Sequence, residues 1–154
     1  MRFAENTSVP VERSKTELER TLTRYRAEKF AYFTDATTAA IAFAMRGRSI
    51  RIRLPLPREE NFARTPAGKP RMLAARRNEC DKATRQAWRA LLLVVRAKLE
   101  AVESGIATFE DEFLAYTMLP NGKTVGEQLG PSLELAHANG EMPRLALGFS
   151  GDAP

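Results

Sequence analysis

The stretch AAIAFAMRGRSIRIRL, residues 39–54, decides the fold, because apolar side chains alternate with other residues on both sides of a short break. The apolar positions are Ile41, Phe43, Met45, Ile50, Ile52 and Leu54. A period of two places these side chains on one face of a pleated strand. Arg46–Gly47 fits a two-residue hairpin turn, in which glycine supplies a positive φ. The stretch therefore predicts two antiparallel strands, 39–45 and 49–54, with one apolar face.

Two flanking segments extend the predicted sheet. Residues 30–34 are rich in aromatic side chains, which favours a further strand. Residues 7–11 predict a short edge strand, since Pro10 argues against a central position. A sheet of three to four antiparallel strands follows.

Helical periodicity brackets this sheet. Ser14 and Glu17 have the spacing of a capping box, which predicts a helix over 14–27. Residues 78–104 predict one long helix that ends before Gly105. Its apolar face is formed by Trp88, Leu91, Leu92, Val95, Leu99 and Val102.

Shorter helices are predicted near the C-terminus. Thr108 is a candidate N-cap for a helix through residues 109–116, and Thr124 with Glu127 repeats the capping-box spacing. Gly130–Pro131 predicts an interruption before a last helical segment at 132–138.

These elements predict an α+β fold in which the antiparallel sheet packs against the long helix. We expect one domain over 1–140, and a loose tail over 141–154. Residues 55–77 contain four prolines and six basic residues, so we expect a mobile basic loop there.

Charge is divided unevenly along the chain. Residues 1–54 and 55–106 each carry 11 basic and 6 acidic residues, whereas 107–154 carry 2 and 7. The net charge of +5 is thus the remainder of a basic body and an acidic end. Such asymmetry points to nucleic acid or another acidic partner, although solubility alone is an alternative explanation.

Composition also excludes several classes. Cys80 is the single cysteine and His137 the single histidine, so neither an internal disulfide nor a Cys/His zinc cluster is possible. No apolar run approaches the roughly 18 residues of a membrane span, and the first residues lack the apolar core of a secretory signal. We expect a protein of the host-cell cytoplasm, without membrane contact.

The best functional candidate is a row of cations on the long helix. Lys82, Arg85, Arg89 and Arg96 follow at steps of three, four and seven, with Arg76 and Arg77 just upstream. Cations on one helix face can neutralise several phosphates of a DNA or RNA strand at once. The alternative is a solvated face, since Arg96 lies four residues before Glu100.

Arg51 and Arg53 on the last predicted strand form a second basic patch, together with Arg46 and Arg48 at the turn. Sheets that bind single strands combine such cations with aromatic rings on which bases stack. Phe43 shares the parity of the apolar face and is expected in the core, which leaves Tyr32 as the stacking candidate.

Catalytic chemistry finds little support. Glu110, Asp111 and Glu112 point about 100° apart on a helix and cannot converge on one ion. Cys80 and His137 lack the partners of a nucleophile and base. We therefore predict no enzyme activity, no metal site and no cofactor.

Three segments resemble a family of small uncharacterised phage and prophage proteins. They are RSKTELERTLTRY at 13–25, GRSIRIRLPLP at 47–57 and LPNGKTVGE at 119–127. The resemblance implies a phage-related setting and assigns no site.

Three functions follow as hypotheses. The first is a phage accessory protein that binds the phosphate backbone of DNA or RNA without sequence specificity. The second is a protein that binds and inhibits a host defence complex, as anti-CRISPR proteins do, through its arginines or through its acidic end as a phosphate mimic. The third is a phage structural or assembly protein. The sequence leaves the oligomeric state open.

Overall fold

The computed structural model describes residues 7–143 and has an α+β architecture. Helix α1 (Val11–Arg24) precedes strands β1 (Lys29–Thr34), β2 (Thr38–Met45) and β3 (Arg48–Pro55). After a 3₁₀ turn at Glu59–Phe62 comes the long helix α2 (Leu73–Glu103). The chain continues through α3 (Phe109–Glu112), a 3₁₀ turn at Leu114–Tyr116 and α4 (Val125–Asn139). The predicted fold class is confirmed.

The sheet has the antiparallel order β1–β2–β3. Ile41 lies opposite Tyr32 on β1 and Ile52 on β3, so one face is continuous across three strands. An isolated bridge between Ile50 and Thr117 adds a fragment of a fourth strand beside β3. The hairpin turn at Arg46–Gly47 is present as predicted, and both residues have positive φ.

One core fills the space between this sheet face and the helices. Leu18 and Leu22 of α1 and the predicted apolar side of α2 bury against β2 and β3. Phe109 and Phe113 close the core from the C-terminal side, with Phe113 edge-on to Phe43 at 5.8 Å between ring centroids. Phe43 is thus a core residue, as its parity predicts. Ala40 and Ala42, on the opposite face of the sheet, are half-buried.

Two N-terminal predictions are wrong. Residues 7–11 form no strand, because α1 already begins at Val11 after Pro10. Proline fixes φ near the value that the start of a helix requires. Ser14 consequently lies inside the helix, where its buried hydroxyl has no hydrogen-bond partner, and the predicted capping box does not form.

The long helix begins five residues earlier than predicted, at Leu73. The segment before it contains a 3₁₀ turn and a small loop closed by a bridge between Arg64 and Pro70. The backbone of residues 55–72 therefore has local order in this structure. The mobility predicted for 55–77 stays a prediction.

Some of the C-terminal predictions are confirmed and others are wrong. Thr108 caps α3 and Thr124 forms the predicted capping box with Glu127. The helix expected through residues 109–116 is broken into α3 and a 3₁₀ turn. The interruption expected at Gly130–Pro131 is wrong, since α4 runs through Pro131. The tail predicted at 141–154 lies outside the described residues from position 144 onward.

Candidate functional site

The predicted row of cations on α2 lies beside α1, and one carboxylate gathers part of it. Glu17 accepts a hydrogen bond from Arg89 (Nη1 to Oε2, 2.9 Å), and Arg96 Nη2 lies 3.4 Å from the same oxygen. Arg13 donates to its other oxygen at 3.2 Å. Three guanidinium groups thus surround one carboxylate, and this Glu17 cluster keeps a surplus of positive charge.

The Glu17 cluster is partly shielded from water. Burial alone raises the pKa of Glu17, but the hydrogen bond and charge of Arg89, together with Arg13 and Arg96, outweigh it and hold the pKa below its ordinary value. The carboxylate therefore stays ionised at neutral pH. Arg96 pairs with Glu17 and Thr21 across the helix interface, and it does not form the intrahelical pair with Glu100 that a solvated helix face predicts.

The other two members of the row have weaker partners. Arg85 Nε lies 3.5 Å from the carbonyl oxygen of Thr7, and Lys82 pairs with Glu79 three residues earlier at 3.0 Å. A carbonyl leaves the full charge of Arg85 in place, and an exposed ion pair within one helix is worth little. These two cations remain available to a phosphate.

The loop before α2 holds arginines on main-chain carbonyls. Arg71 donates to the carbonyl of Arg64 at 2.6 Å, Arg64 donates to that of Gly68 at 2.9 Å, and Arg76 donates to that of Arg71 at 3.0 Å. Arg77 has a carboxylate partner, Glu59, at 3.5 Å. The loop is thereby fixed by its own cations, whose charge is mostly uncompensated.

We call residues 61–89 the basic segment, because its charge exceeds that of the whole chain. It contains eight basic and two acidic residues, a net charge of +6. The basic residues are Arg64, Lys69, Arg71, Arg76, Arg77, Lys82, Arg85 and Arg89. The sequence predicts five of these residues as nucleic-acid-binding residues. The carbonyl contacts of the loop arginines are visible only in the folded loop.

The arginines of β3 share a carboxylate of α4. Arg51 Nη2 lies 2.8 Å from Glu127 Oε2, and Arg53 Nε lies 3.0 Å from Oε1. A hydrogen bond from the Thr124 amide is the largest cause of the lowered pKa of Glu127, and the charges of both arginines add to it. This patch therefore joins the sheet to the start of α4 and retains about one positive charge.

The proposed stacking residue on the sheet is misassigned. Tyr32 faces the helices, where its hydroxyl donates to the carbonyl of Lys15 at 2.5 Å and its ring meets Trp88 edge-on. Burial, with the charges of Glu19 and Glu12, raises the pKa of Tyr32 to about 12. Phe33, on the opposite face, is 58% exposed. Tyr32 is inward-facing because the register of the sheet places it opposite Ile41, and this register depends on the turn between β1 and β2.

A second group of arginines was missed in the sequence. Arg24, Arg26 and Arg46 line a cleft of about 640 Å³ at the end of α1, together with Glu28, Glu100 and Glu103. We call it the arginine cleft. Within residues 7–143, none of the three arginine side chains has a hydrogen bond or ion pair. Chain neighbours give no hint of this grouping, because Arg46 reaches the cleft from the hairpin turn.

Backbone conformation also marks the arginine cleft. Arg26 has φ 67° and Arg46 has φ 51°, and they are the two non-glycine residues with positive φ in the described part of the chain. Arg26 follows α1 in a Schellman arrangement: its amide bonds to the carbonyl of Thr23 and the Ala27 amide to that of Leu22. Glycine suits such a position better, by about 1 kcal/mol.

The remaining sequence candidates have structural roles. Cys80 donates from Sγ to the carbonyl of Pro57 at 3.4 Å, and burial, followed by the charges of Asp81 and Glu59, raises its pKa. Glu112 pairs with Lys98 and Glu110 with Arg48. Among the residues described, no group of three carboxylate, cysteine or histidine side chains is arranged to hold a metal ion.

Comparisons with protein-family models, with curated proteins and with solved structures found no match to this chain. In the stretch from residue 7 to residue 143, none of the helices is long and apolar enough to cross a membrane.

Proposed function

We propose that this protein binds DNA or RNA through the phosphate backbone, with the basic segment as the contact surface. The observation that carries the proposal is the net charge of +6 over residues 61–89, where neutral carbonyl groups hold four of the eight basic side chains: Arg64, Arg71, Arg76 and Arg85. Charge that no carboxylate cancels is available to phosphates, and the counterions that phosphates release supply the affinity.

The geometry favours several contacts at once. α2 carries Lys82, Arg85 and Arg89 within about one-sixth of its circumference, at about 100° per residue. The loop at 63–71 places Arg64 and Lys69 ahead of the same helix. A strand of regularly spaced phosphates can contact both parts.

The Glu17 cluster extends this surface. Its single carboxylate orients Arg89 and Arg96 and leaves each guanidinium with further N–H donors. Fixed arginines lose less side-chain entropy when they bind. Arg51 and Arg53 are a weaker second contact, because Glu127 already takes part of their charge. Contacts of this kind carry no base specificity.

A charge reversal at two exposed lysines tests the proposal. Lys69 and Lys82 are exposed and have no tertiary side-chain partner in the described part of the chain, so Lys69→Glu with Lys82→Glu leaves the core intact. Fluorescence anisotropy with labelled single- and double-stranded DNA and RNA should show an affinity loss of roughly tenfold or more at low salt.

The matched control is Lys29→Glu with Lys123→Glu, which changes net charge by the same amount on exposed lysines outside the basic segment. We expect this control to bind within about threefold of the unchanged protein, because neither lysine belongs to the basic segment. Equal losses in both variants would show that overall charge, and not this surface, determines binding.

A second candidate function is binding of a host protein, such as a defence complex, and α4 favours it. In α4, which has no buried residue, Leu133 and Leu135 are exposed at 45% and 62%. The acidic mimicry expected of this region has less support, since Glu110, Glu112 and Glu127 are engaged in ion pairs. A host complex captured after nuclease treatment, and lost on Leu133→Ser with Leu135→Ser, would support this function.

The phage-related setting stays a prediction, as does the cytoplasmic location. A gene neighbourhood of phage recombination genes would support nucleic-acid binding. A cluster of small early genes would favour inhibition of host defence.

A further inference from the structure

We propose that the arginine cleft is a second, separate site, which binds the terminal phosphate of a phosphate monoester. It lies at the end of α1 and is lined by Arg24, Arg26 and Arg46, whereas the basic segment lies in the loop and first half of α2. Its three arginines face three carboxylates, Glu28, Glu100 and Glu103, so a ligand places its phosphate, with a charge close to −2 at neutral pH, against the arginines and its uncharged donors against the carboxylates.

The first support is that the three arginine side chains have no hydrogen-bond or ion-pair partner among residues 7–143. All the basic side chains singled out on β3 and α2 contact a carboxylate or a carbonyl, whereas Arg24, Arg26 and Arg46 contact neither in the described chain. Their guanidinium N–H groups are therefore all available, and a phosphate oxygen accepts from such groups in pairs.

The second support is the backbone. Left-handed residues other than glycine, asparagine and aspartate are uncommon, and both of those described here, Arg26 and Arg46, line this one cleft. Glycine or asparagine would fit each position with less strain. The presence of arginine at two such positions is explained if this backbone conformation directs the guanidinium groups to where a ligand binds.

Aromatic rings hold two of the three guanidinium groups. Arg24 lies over the Tyr25 ring at 5.3 Å from its centroid, and the Tyr25 hydroxyl is fixed by a 2.9 Å bond to Glu100. Arg46 lies over Phe109 at 5.8 Å. A guanidinium stacked on a ring keeps its in-plane N–H donors free for an anion.

The carboxylates of the cleft narrow the class of ligand. Glu28 and Glu103 have no side-chain partner among the described residues, and they disfavour a bare polyanion. A ligand that carries hydroxyl or amino donors beside its phosphate can bind the arginines through the phosphate and the carboxylates through those donors. A cleft of about 640 Å³ is large enough for a nucleoside monophosphate. The 5′-phosphate end of a nucleic-acid strand offers the same chemistry.

The test measures binding of adenosine 5′-monophosphate, adenosine and inorganic phosphate by NMR titration of the full chain. We expect the monophosphate to bind with a Kd of about 1 mM or tighter, and more tightly than either of the other two. Arg26→Gly and Arg46→Asn should each weaken it at least tenfold, while the melting temperature stays equal or rises. Arg20→Ala, which removes an exposed arginine of α1 outside the cleft, is the matched control and should bind normally.

Oligonucleotides with and without a 5′-phosphate separate the two sources of the ligand. A preference for the phosphorylated strand that Arg26→Gly abolishes assigns the site to strand ends, whereas equal binding of both strands assigns it to free nucleotides. Failure of the monophosphate to bind, or binding that survives Arg26→Gly and Arg46→Asn, would overturn the proposal. Lys69→Glu with Lys82→Glu should leave monophosphate binding intact, so this site and the nucleic-acid surface can fail independently.

Discussion

The Glu17 cluster and the arginine cleft contain the same number of arginines in opposite circumstances. Arg13, Arg89 and Arg96 converge on one carboxylate between two helices, so they contribute to stability. In the arginine cleft the guanidinium groups have no carboxylate partner within residues 7–143, and two of the three arginines occupy strained backbone positions. Charge counted along a sequence therefore does not distinguish arginines that stabilise the fold from arginines that are free to bind a ligand.

The largest effect on stability should come from the carboxylate that the three arginines share. Glu17→Gln leaves Arg89 and Arg96 without their anion in a partly buried interface. We expect the free energy of unfolding to fall by about 1–2 kcal/mol, measured by urea denaturation.

The matched change is Glu103→Gln in the arginine cleft, where the carboxylate is exposed and has no hydrogen-bond or ion-pair partner among the described residues. It should change stability by less than about 0.5 kcal/mol. If both variants lose the same stability, the distinction between the two regions is wrong.

The stability of the protein at acid pH should also depend on the Glu17 carboxylate. The folded-state pKa of Glu17 is lowered, so its contribution is present above the ordinary pKa of 4.5 and is lost as pH falls through the folded-state value. Stability measured from pH 7 to pH 3 should therefore decline below about pH 4.5, and less steeply in Glu17→Gln. Equal acid sensitivity in the two proteins would contradict this role.

Removing one arginine from each region sharpens the comparison further. Arg89→Gln should cost about 1 kcal/mol, because it breaks a hydrogen bond to the partly buried Glu17. Arg26→Gly should instead stabilise the protein by about 0.5 kcal/mol, since glycine adopts φ 67° without strain. Thermal and urea unfolding should show a lower free energy of unfolding for Arg89→Gln and a higher one for Arg26→Gly.

The parts of the fold that follow from the sequence are those with strong local periodicity. Alternation around Ile41 and Ile50 defines the hairpin, and the spacing of Trp88 and Val95 defines the buried face of α2. The start of α1 was placed too late because Ser14 with Glu17 has the spacing of a cap, while Pro10 supplies the actual start. Two local motifs thus compete for the start of α1, and the packing of the helix determines which of them is used.

The site was less predictable, because charge pairing is a tertiary property. Glu17 lies 72 residues from Arg89, and Glu127 lies 76 from Arg51, so neither partner is visible in a local pattern. The sequence predicts Arg46 in the hairpin turn and in the second basic patch, but its position beside Arg24 depends on how the hairpin meets α1.

The salt dependence of nucleic-acid affinity tests the central proposal most directly. The logarithm of the association constant should fall linearly with the logarithm of salt concentration, and Lys69→Glu with Lys82→Glu should reduce the slope by about 2. Arg26→Gly and the Lys29→Glu with Lys123→Glu control should keep the slope of the unchanged protein. Slopes that are equal in all four proteins, or affinity that does not respond to salt, would contradict binding of phosphates by residues 61–89.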